Sequence, residues 1–247
     1  MLAAGAATEG GPAVLRTVLL QDLVGKGATA NPRTPLLIRG EPGVGKDTLA
    51  RLIHAASARH QYPFIKVNCA LEAADRSAAD LFGLERGTSP VAARRRIGSF
   101  EFANRGTIYL DRLESLPPAL VPRLLQVLRT GEVSRTGTRE TTPVDVRVIA
   151  STVGCAETGS DDPRQELLRL GAIEIGIPPL RQRRDEIFAF GSFFLEQFNR
   201  RYRRRVELCP DVIATFIVHS WPGNLCELEE AVRRLVVTGS SKGGRYP

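Results

Sequence analysis

Cysteine and histidine are few and scattered along this chain. The four cysteines, Cys69, Cys155, Cys209 and Cys226, stand far apart, so no Cys-x-x-Cys pair, zinc knuckle or redox motif can be drawn. They read as small buried or surface thiols. His54, His60 and His219 form no His-x-x-x-His or His-Glu pattern, which sets aside metal chemistry of the thiolate and imidazole kind. Also missing is any stretch near the roughly 18 uncharged apolar residues that a membrane span needs. The opening residues, from Met1 to Gly11, lack the basic start and apolar core of a secretory signal. These absences lead to the expectation of a cytoplasmic protein with no membrane partner.

What is present is an ordinary globular balance: 247 residues, 43% hydrophobic and 25% charged, which excludes wholesale disorder and collagen-like repeats. The length exceeds an average domain of about 150 residues and fits a large domain with a small companion. Lys and Arg total 34 against 27 Asp and Glu, a net charge of +7. Much of the excess lies in two arginine runs, Arg94 to Arg96 and Arg203 to Arg205. Such runs are solvated surface, or patches that attract phosphate or acidic protein surfaces.

Periodicity divides the chain. Val14, Leu15, Val18, Leu19 and Leu23 recur at helical spacing up to Val24, and a turn-rich segment from Gly25 to Arg33 follows. Apolar runs at 35–39, 64–67, 107–110 and 146–150 predict strands, and helical stripes lie at 48–58 and through Leu120, Leu124, Val127 and Leu128. Strands alternating with helices predict a mostly parallel sheet covered on both faces, with ligands beyond its C-terminal strand ends. After Ile175-Gly176-Ile177-Pro178-Pro179 only helical periodicity remains, at 185–200, 210–219 and 224–237. The expected organisation is a flexible N-terminus 1–13, an α/β subdomain 14–179, a helical lid 180–238 and a tail 239–247. About 60 residues make too small a core to stand alone, so the lid should pack on the larger part.

Gly40-Glu41-Pro42-Gly43-Val44-Gly45-Lys46 follows a predicted strand and opens a predicted helix, the setting that a phosphate-binding loop needs. Glycines let successive backbone N–H groups turn inward, the helix N-terminus adds partial positive charge, and Lys46 supplies a mobile ammonium for the outer phosphates. The hydroxyl usual after the lysine is here Asp47, with Thr48 one place on, and either could take part in the site.

Further ordered segments accompany the loop: Pro63 to Cys69, Leu81-Phe82-Gly83, Gly98 to Glu101, Gly106 to Asp111, Leu124 to Leu128, Asp145 to Ala150, Pro178 to Arg181 and Trp221 to Asn224. Together they resemble the AAA+ domain of sigma-54-dependent bacterial transcription activators, over about Val14 to Val237. The resemblance implies a three-layer α/β P-loop NTPase fold with a parallel sheet and a small C-terminal helical lid. It implies ATP or ADP with Mg²⁺ on Gly40 to Thr48 and Asp111, assembly into a ring with nucleotide between subunits, and hydrolysis that drives loops against sigma-54 RNA polymerase. Asp47 fits the family, which commonly has an acidic residue after the loop lysine. Asp111 stands where the family's carboxylate holds Mg²⁺.

Several positions depart from the family pattern. The water-polarising Glu is replaced by Arg112, which cannot accept a proton, so hydrolysis is expected to suffer unless Glu114 or Glu101 substitutes. Gly87-Thr88-Ser89-Pro90-Val91-Ala92 stands where the polymerase-contacting loop reads Gly-Ala-Phe-Thr-Gly-Ala, losing its aromatic anchor and threonine. Thr152-Val153 replaces a common Thr-Asn, and Cys226 stands where the lid usually offers an Arg. Arg164 and Arg169 lie in the segment resembling the arginine-finger helix and are candidate fingers toward a neighbouring subunit, or plain surface arginines.

The expectation is an ATP-binding AAA+ module that regulates transcription, with impaired hydrolysis and a weakened sigma-54 link. It would form a homo- or hetero-oligomer with AAA+ subunits. The alternatives are an active ATPase remodelling sigma-54 polymerase and a scaffold that binds no nucleotide. Family members usually add sensory and helix-turn-helix domains; no dedicated DNA-binding domain is expected within these residues, and if this is the natural length, DNA specificity is expected to come from a partner.

Overall fold

A computed structural model describes residues 17–70, 74–85, 95–153 and 162–238. Helix α1, Val18–Thr29, is capped by Thr17, whose side chain accepts from the Leu20 N–H. Strand β1, Leu36–Arg39, leads through the glycine loop into α2, Lys46–Ala55. Strand β2 (Phe64–Asn68), helix α3 (Ala74–Phe82), the single turn α4 (Ser99–Phe102) and strand β3 (Thr107–Asp111) follow. Helix α5, Val121–Thr130, closes at Gly131, whose left-handed backbone (φ 69°) lets its N–H return to the Val127 carbonyl. Next come β4 (Glu132–Ser134), β5 (Thr141–Pro143), β6 (Arg147–Thr152), α6 (Pro163–Arg169) and β7 (Ile173–Gly176). The lid is built from α7 (Ile187–Tyr202), α8 (Pro210–Val218) and α9 (Asn224–Thr238).

Five strands form an all-parallel sheet in the order β2-β3-β6-β1-β7, and β4 and β5 make a separate antiparallel ribbon. Side chains alternate across the sheet, so its two faces collect different partners. Leu37, Ile108, Leu110, Val148 and Ala150 pack under α3, α4, α5 and α6, through Phe82, Phe100, Leu124 and Leu167. Leu36, Ile38, Tyr109, Ile149 and Ile175 pack under α1 and α2, through Leu20, Leu23, Leu49 and Ile53. The fold is thus three-layered α/β, with a lid whose separate core gathers Leu180, Ile187, Phe190, Phe216, Trp221, Leu228 and Val232. Trp221 anchors it edge-on to Phe216, with its indole N–H donating to the Phe216 carbonyl at 2.7 Å.

Three local expectations are corrected. The first helix does not stop at Val24 but continues through Gly25 and Gly27 to Thr29. Gly27 serves as a close contact, not a stop: a Cβ there would sit 2.5 Å from Ile53 Cδ1, so α1 and α2 touch only because the side chain is missing. Strand β7 was not foreseen, because its mostly exposed edge position removes the continuous apolar run of a central strand. The β4–β5 ribbon is likewise short and largely polar.

A candidate nucleotide site between the sheet and the lid

The chain leaves β1 at its C-terminal end, where Gly40 N–H still donates to the Thr152 carbonyl of β6 (3.3 Å), and turns sharply into α2. Gly43 and Gly45 have φ of 78° and 101°, a region that side chains disfavour. At Gly43 a Cβ would lie 2.3 Å from the Gly223 carbonyl oxygen of the lid, so glycine is required twice over. Lys46 opens α2 with only 9% of its surface exposed. Its Nζ donates to the loop's own carbonyls, at 2.7 Å to Gly40 O and 3.0 Å to Glu41 O. Burial lowers the Lys46 pKa; the Asp111 and Glu114 carboxylates push it back up, and the Arg112 guanidinium works against them.

Loops from β1, β3 and β6 converge here because these strands are neighbours, the place where parallel sheets bind ligands. They and the lid enclose a cavity of about 630 Å³, walled by Pro42, Gly43, Gly45 to Thr48, Asp111, Arg112, Val153, Phe194, Leu225, Cys226 and Glu229. Val44 is buried behind the loop. Asp111 ends β3; its Oδ1 accepts from Ser151 Oγ (2.7 Å) and Tyr109 OH (3.2 Å). Lys66 of β2 bridges two carboxylates, 2.8 Å from Asp47 Oδ1 and 3.5 Å from Asp111 Oδ2. Burial raises the Asp47 pKa, but hydrogen bonds from Lys66 and Arg51 outweigh it and leave the carboxyl below its usual range. A second cavity of about 620 Å³, lined in part by Lys66, Asp80, Arg95 and Phe102, contains no glycine loop.

The lid is tied directly to the loop. Leu225 N–H donates to Gly43 O at 3.0 Å, the Asn224 amide donates to Glu41 Oε2 and Pro42 O, and Arg181 clamps Glu41 with bonds of 2.8 and 2.6 Å. Buried Arg183 reaches the Val44 carbonyl at 2.9 Å.

Residues 18–170 match the family described as the Sigma-54 interaction domain, and residues 181–243 match the AAA+ ATPase lid domain. This chain belongs to the sigma-54 interaction domain family. The domain is 40% identical over 223 residues to the transcriptional regulatory protein ZraR of Escherichia coli O157:H7, which covers 88% of this chain and 51% of ZraR. Two solved structures of NtrX from Brucella abortus are similar. The complex with ATP has a TM-score of 0.81 and 30% identity over 96% of this chain and 55% of NtrX. The complex with ADP has 0.75 and 28% over 92% and 50%. The chain spans about half the length of the first curated relatives it matches.

Within this sigma-54 interaction domain the other sequence candidates are distributed unevenly. Thr48, Asp111, Arg112, Val153 and Cys226 share the cavity. Glu101 lies elsewhere: both its oxygens take hydrogen bonds from Arg135, at 2.9 and 2.5 Å. Glu114, by contrast, acts on the Lys46 charge and accepts from the Val153 N–H through Oε1 at 3.3 Å. Arg164 is held by Asp162 (2.9 and 3.0 Å) and reaches Thr152 Oγ1 at 3.3 Å. Arg169 is exposed and pairs with Glu166 on the same helix. The loop Gly87 to Ala92, Arg94 and Cys155 lie outside the described residues.

Sequence reasoning missed Lys66, Ser151, Phe194 and the roles of Arg181 and Asn224. Lys66, Arg181 and Asn224 stand inside the ordered segments Pro63 to Cys69, Pro178 to Arg181 and Trp221 to Asn224, but nothing local says that these segments meet the loop.

Among the described residues no helix is long and apolar enough to cross a membrane.

Proposed function

We propose that this domain holds ATP or ADP in the cavity between the sheet and the lid, hydrolyses ATP poorly, and acts on transcription as a subunit of a cytoplasmic AAA+ oligomer. The observation that carries this reading is the joint lining of one cavity by Lys46, Asp111 and Arg112. Two of these match what a nucleotide site needs, and the third occupies the position beside Asp111 where the family has its water-activating carboxylate. The Gly40 to Lys46 loop fits phosphate, since Gly43 and Gly45 take the positive φ of a tight turn into the α2 N-terminus and the Lys46 ammonium already sits on loop carbonyls that a phosphate oxygen could replace. The relatives named above as ATP and ADP complexes support the same ligand class.

The donor set also fits Mg²⁺. Asp47, Thr48 and Asp111 bring hard oxygens to one cavity, the kind of ligand Mg²⁺ takes beside phosphates. When bound, the ion supplies charge neutralisation to phosphate oxygens. The chain's own part is to hold Asp111 in place through Ser151 and Tyr109, while Lys66 favours the ionised form of Asp47 and stands 3.5 Å from Asp111 Oδ2.

Arg112 cannot take a proton from water, and losing a positioned base typically costs about two to four orders of magnitude in rate. A second reading, residual turnover through Glu114, is favoured by its electrostatic reach to Lys46 and by a buried Oε2 with no hydrogen-bond partner. Arg169 is the freer of the two finger candidates, because Asp162 and Thr152 hold Arg164. The substituted Gly87 to Ala92 loop supports a weakened sigma-54 contact.

The test is ATP turnover beside binding of a fluorescent ATP analogue with Mg²⁺, in the native protein and in Lys46→Ala, Arg112→Glu and Glu114→Gln. Lys46-dependent binding with negligible turnover, raised at least about tenfold by Arg112→Glu, is expected. Robust native turnover lost in Glu114→Gln would establish the second reading. Absence of binding by folded native protein would reject both.

A further inference from the structure

Arg112 is an unusual residue in an unusual place. It follows the last residue of β3 with a left-handed backbone (φ 57°, ψ 60°), a conformation that residues with a Cβ seldom adopt. Its N–H is fixed by Ser151 Oγ at 3.2 Å, the same hydroxyl that donates to Asp111. The strained turn sends the residue into the wall of the cavity that Lys46 also lines, close enough for the two cations to oppose each other.

No carboxylate is committed to it. Asp111 is occupied by Ser151, Tyr109 and Lys66, and Asp47 by Lys66 and Arg51. Glu114 takes the Val153 N–H, and Glu229, on α9 across the cavity, makes no ion pair with Arg112. Among the described residues the Arg112 guanidinium therefore has neither a hydrogen-bond nor an ion-pair partner. Two cations that repel each other across a shared cavity are both relieved by one multivalent anion. A planar guanidinium is also built to take two phosphate oxygens at once.

We propose that Arg112 is a phosphate ligand that makes this cavity prefer a nucleoside triphosphate over the diphosphate. Resting on the nucleotide-binding reading above, this gives the Arg in the water-activating position a positive role. The residue that removes the base adds a bond to the anion, so the site retains the triphosphate. Lys46 supplies affinity for both nucleotides, and Arg112 supplies the difference between them.

The experiment measures equilibrium affinities of a fluorescent non-hydrolysable ATP analogue and of fluorescent ADP, with Mg²⁺, for the native protein, Arg112→Ala, Arg112→Lys and Lys46→Ala. Loss of one charge-assisted contact weakens the triphosphate by about tenfold or more. Arg112→Ala is expected to do this while leaving ADP within about twofold, with Arg112→Lys recovering part of the preference. Lys46→Ala should weaken both. Equal affinities of native protein and Arg112→Ala for the triphosphate, or equal losses for both nucleotides, would overturn the role of Arg112 and leave nucleotide binding standing. Folded native protein that binds neither nucleotide would remove the reading and the inference together.

Discussion

The side-chain amide of Asn224 donates to Glu41 Oε2 at 3.1 Å, joining the first residue of the last lid helix to the second residue of the glycine loop. The same amide donates to Pro42 O at 3.0 Å, and its oxygen accepts the Leu180 N–H at 2.8 Å. One fully buried side chain thus pins three stretches: the loop, the entry to the lid and α9. Its left-handed backbone (φ 54°) suits Asn better than most residues.

Asn224→Ala leaves the Leu180 N–H and the Pro42 carbonyl without this partner and places Ala at positive φ. The expected loss is about 2–4 kcal/mol in urea unfolding, from unsatisfied buried groups plus backbone strain. A loss below about 0.5 kcal/mol, the range of an ordinary surface change, would show that the lid does not depend on this pin.

Hydrogen bonds from Arg181 and then Asn224 pull the Glu41 pKa from 4.5 to about 2. A carboxyl lowered on folding stabilises the folded state fully above its unfolded value near 4.5, and the contribution is lost as pH falls through about 2. Thermal melts between pH 5 and about 2 should therefore show a steeper decline for native protein than for Glu41→Gln. Parallel curves would show that the Arg181 clamp does not matter for stability.

Gly43→Ala should act through the lid. A Cβ 2.3 Å from Gly223 O at φ 78° cannot be accommodated without moving the loop away from α9. Hydrogen exchange at the Leu225 amide, which donates to Gly43 O, is expected to accelerate, with about 1–3 kcal/mol lost in stability. Unchanged exchange would show that the contact between loop and lid survives the added Cβ.

Thiol labelling separates two cysteines. Burial pushes the Cys69 thiol up to about 12, helped by Asp111 and Glu114, so at pH 8 its thiolate fraction is on the order of one in ten thousand. Cys226 is exposed and lines the cavity. Peptide mapping after brief alkylation should find Cys226 modified, protected by ATP with Mg²⁺, and Cys69 unmodified until the protein unfolds. Labelling of Cys226 that ignores nucleotide would place the ligand elsewhere.

Much of this domain was legible in the amino-acid order because the relevant physics is local. Glycines spaced for a tight turn before Lys46, apolar runs of strand length, and 3.6-residue stripes after Pro179 each act within a few residues, and they specified the layered α/β part, the glycine loop and the helical lid. Where local signals weaken, the reading failed: β7 is an exposed edge, and Gly25 and Gly27 look like a stop when Gly27 is the contact point of two helices. The contacts within the site are decided only by the fold, since the paired residues are distant in sequence. Glu101 and Glu114 are equivalent candidates on paper, but Arg135 claims one while the other acts on Lys46. Arg164 becomes a partner of Asp162 and Thr152, Lys66 bridges Asp47 and Asp111, and Asn224 closes on Glu41. Composition and spacing say which groups a chain owns; only packing decides which of them meet, because a hydrogen bond or ion pair exists at 3 Å and is gone a few ångströms further on.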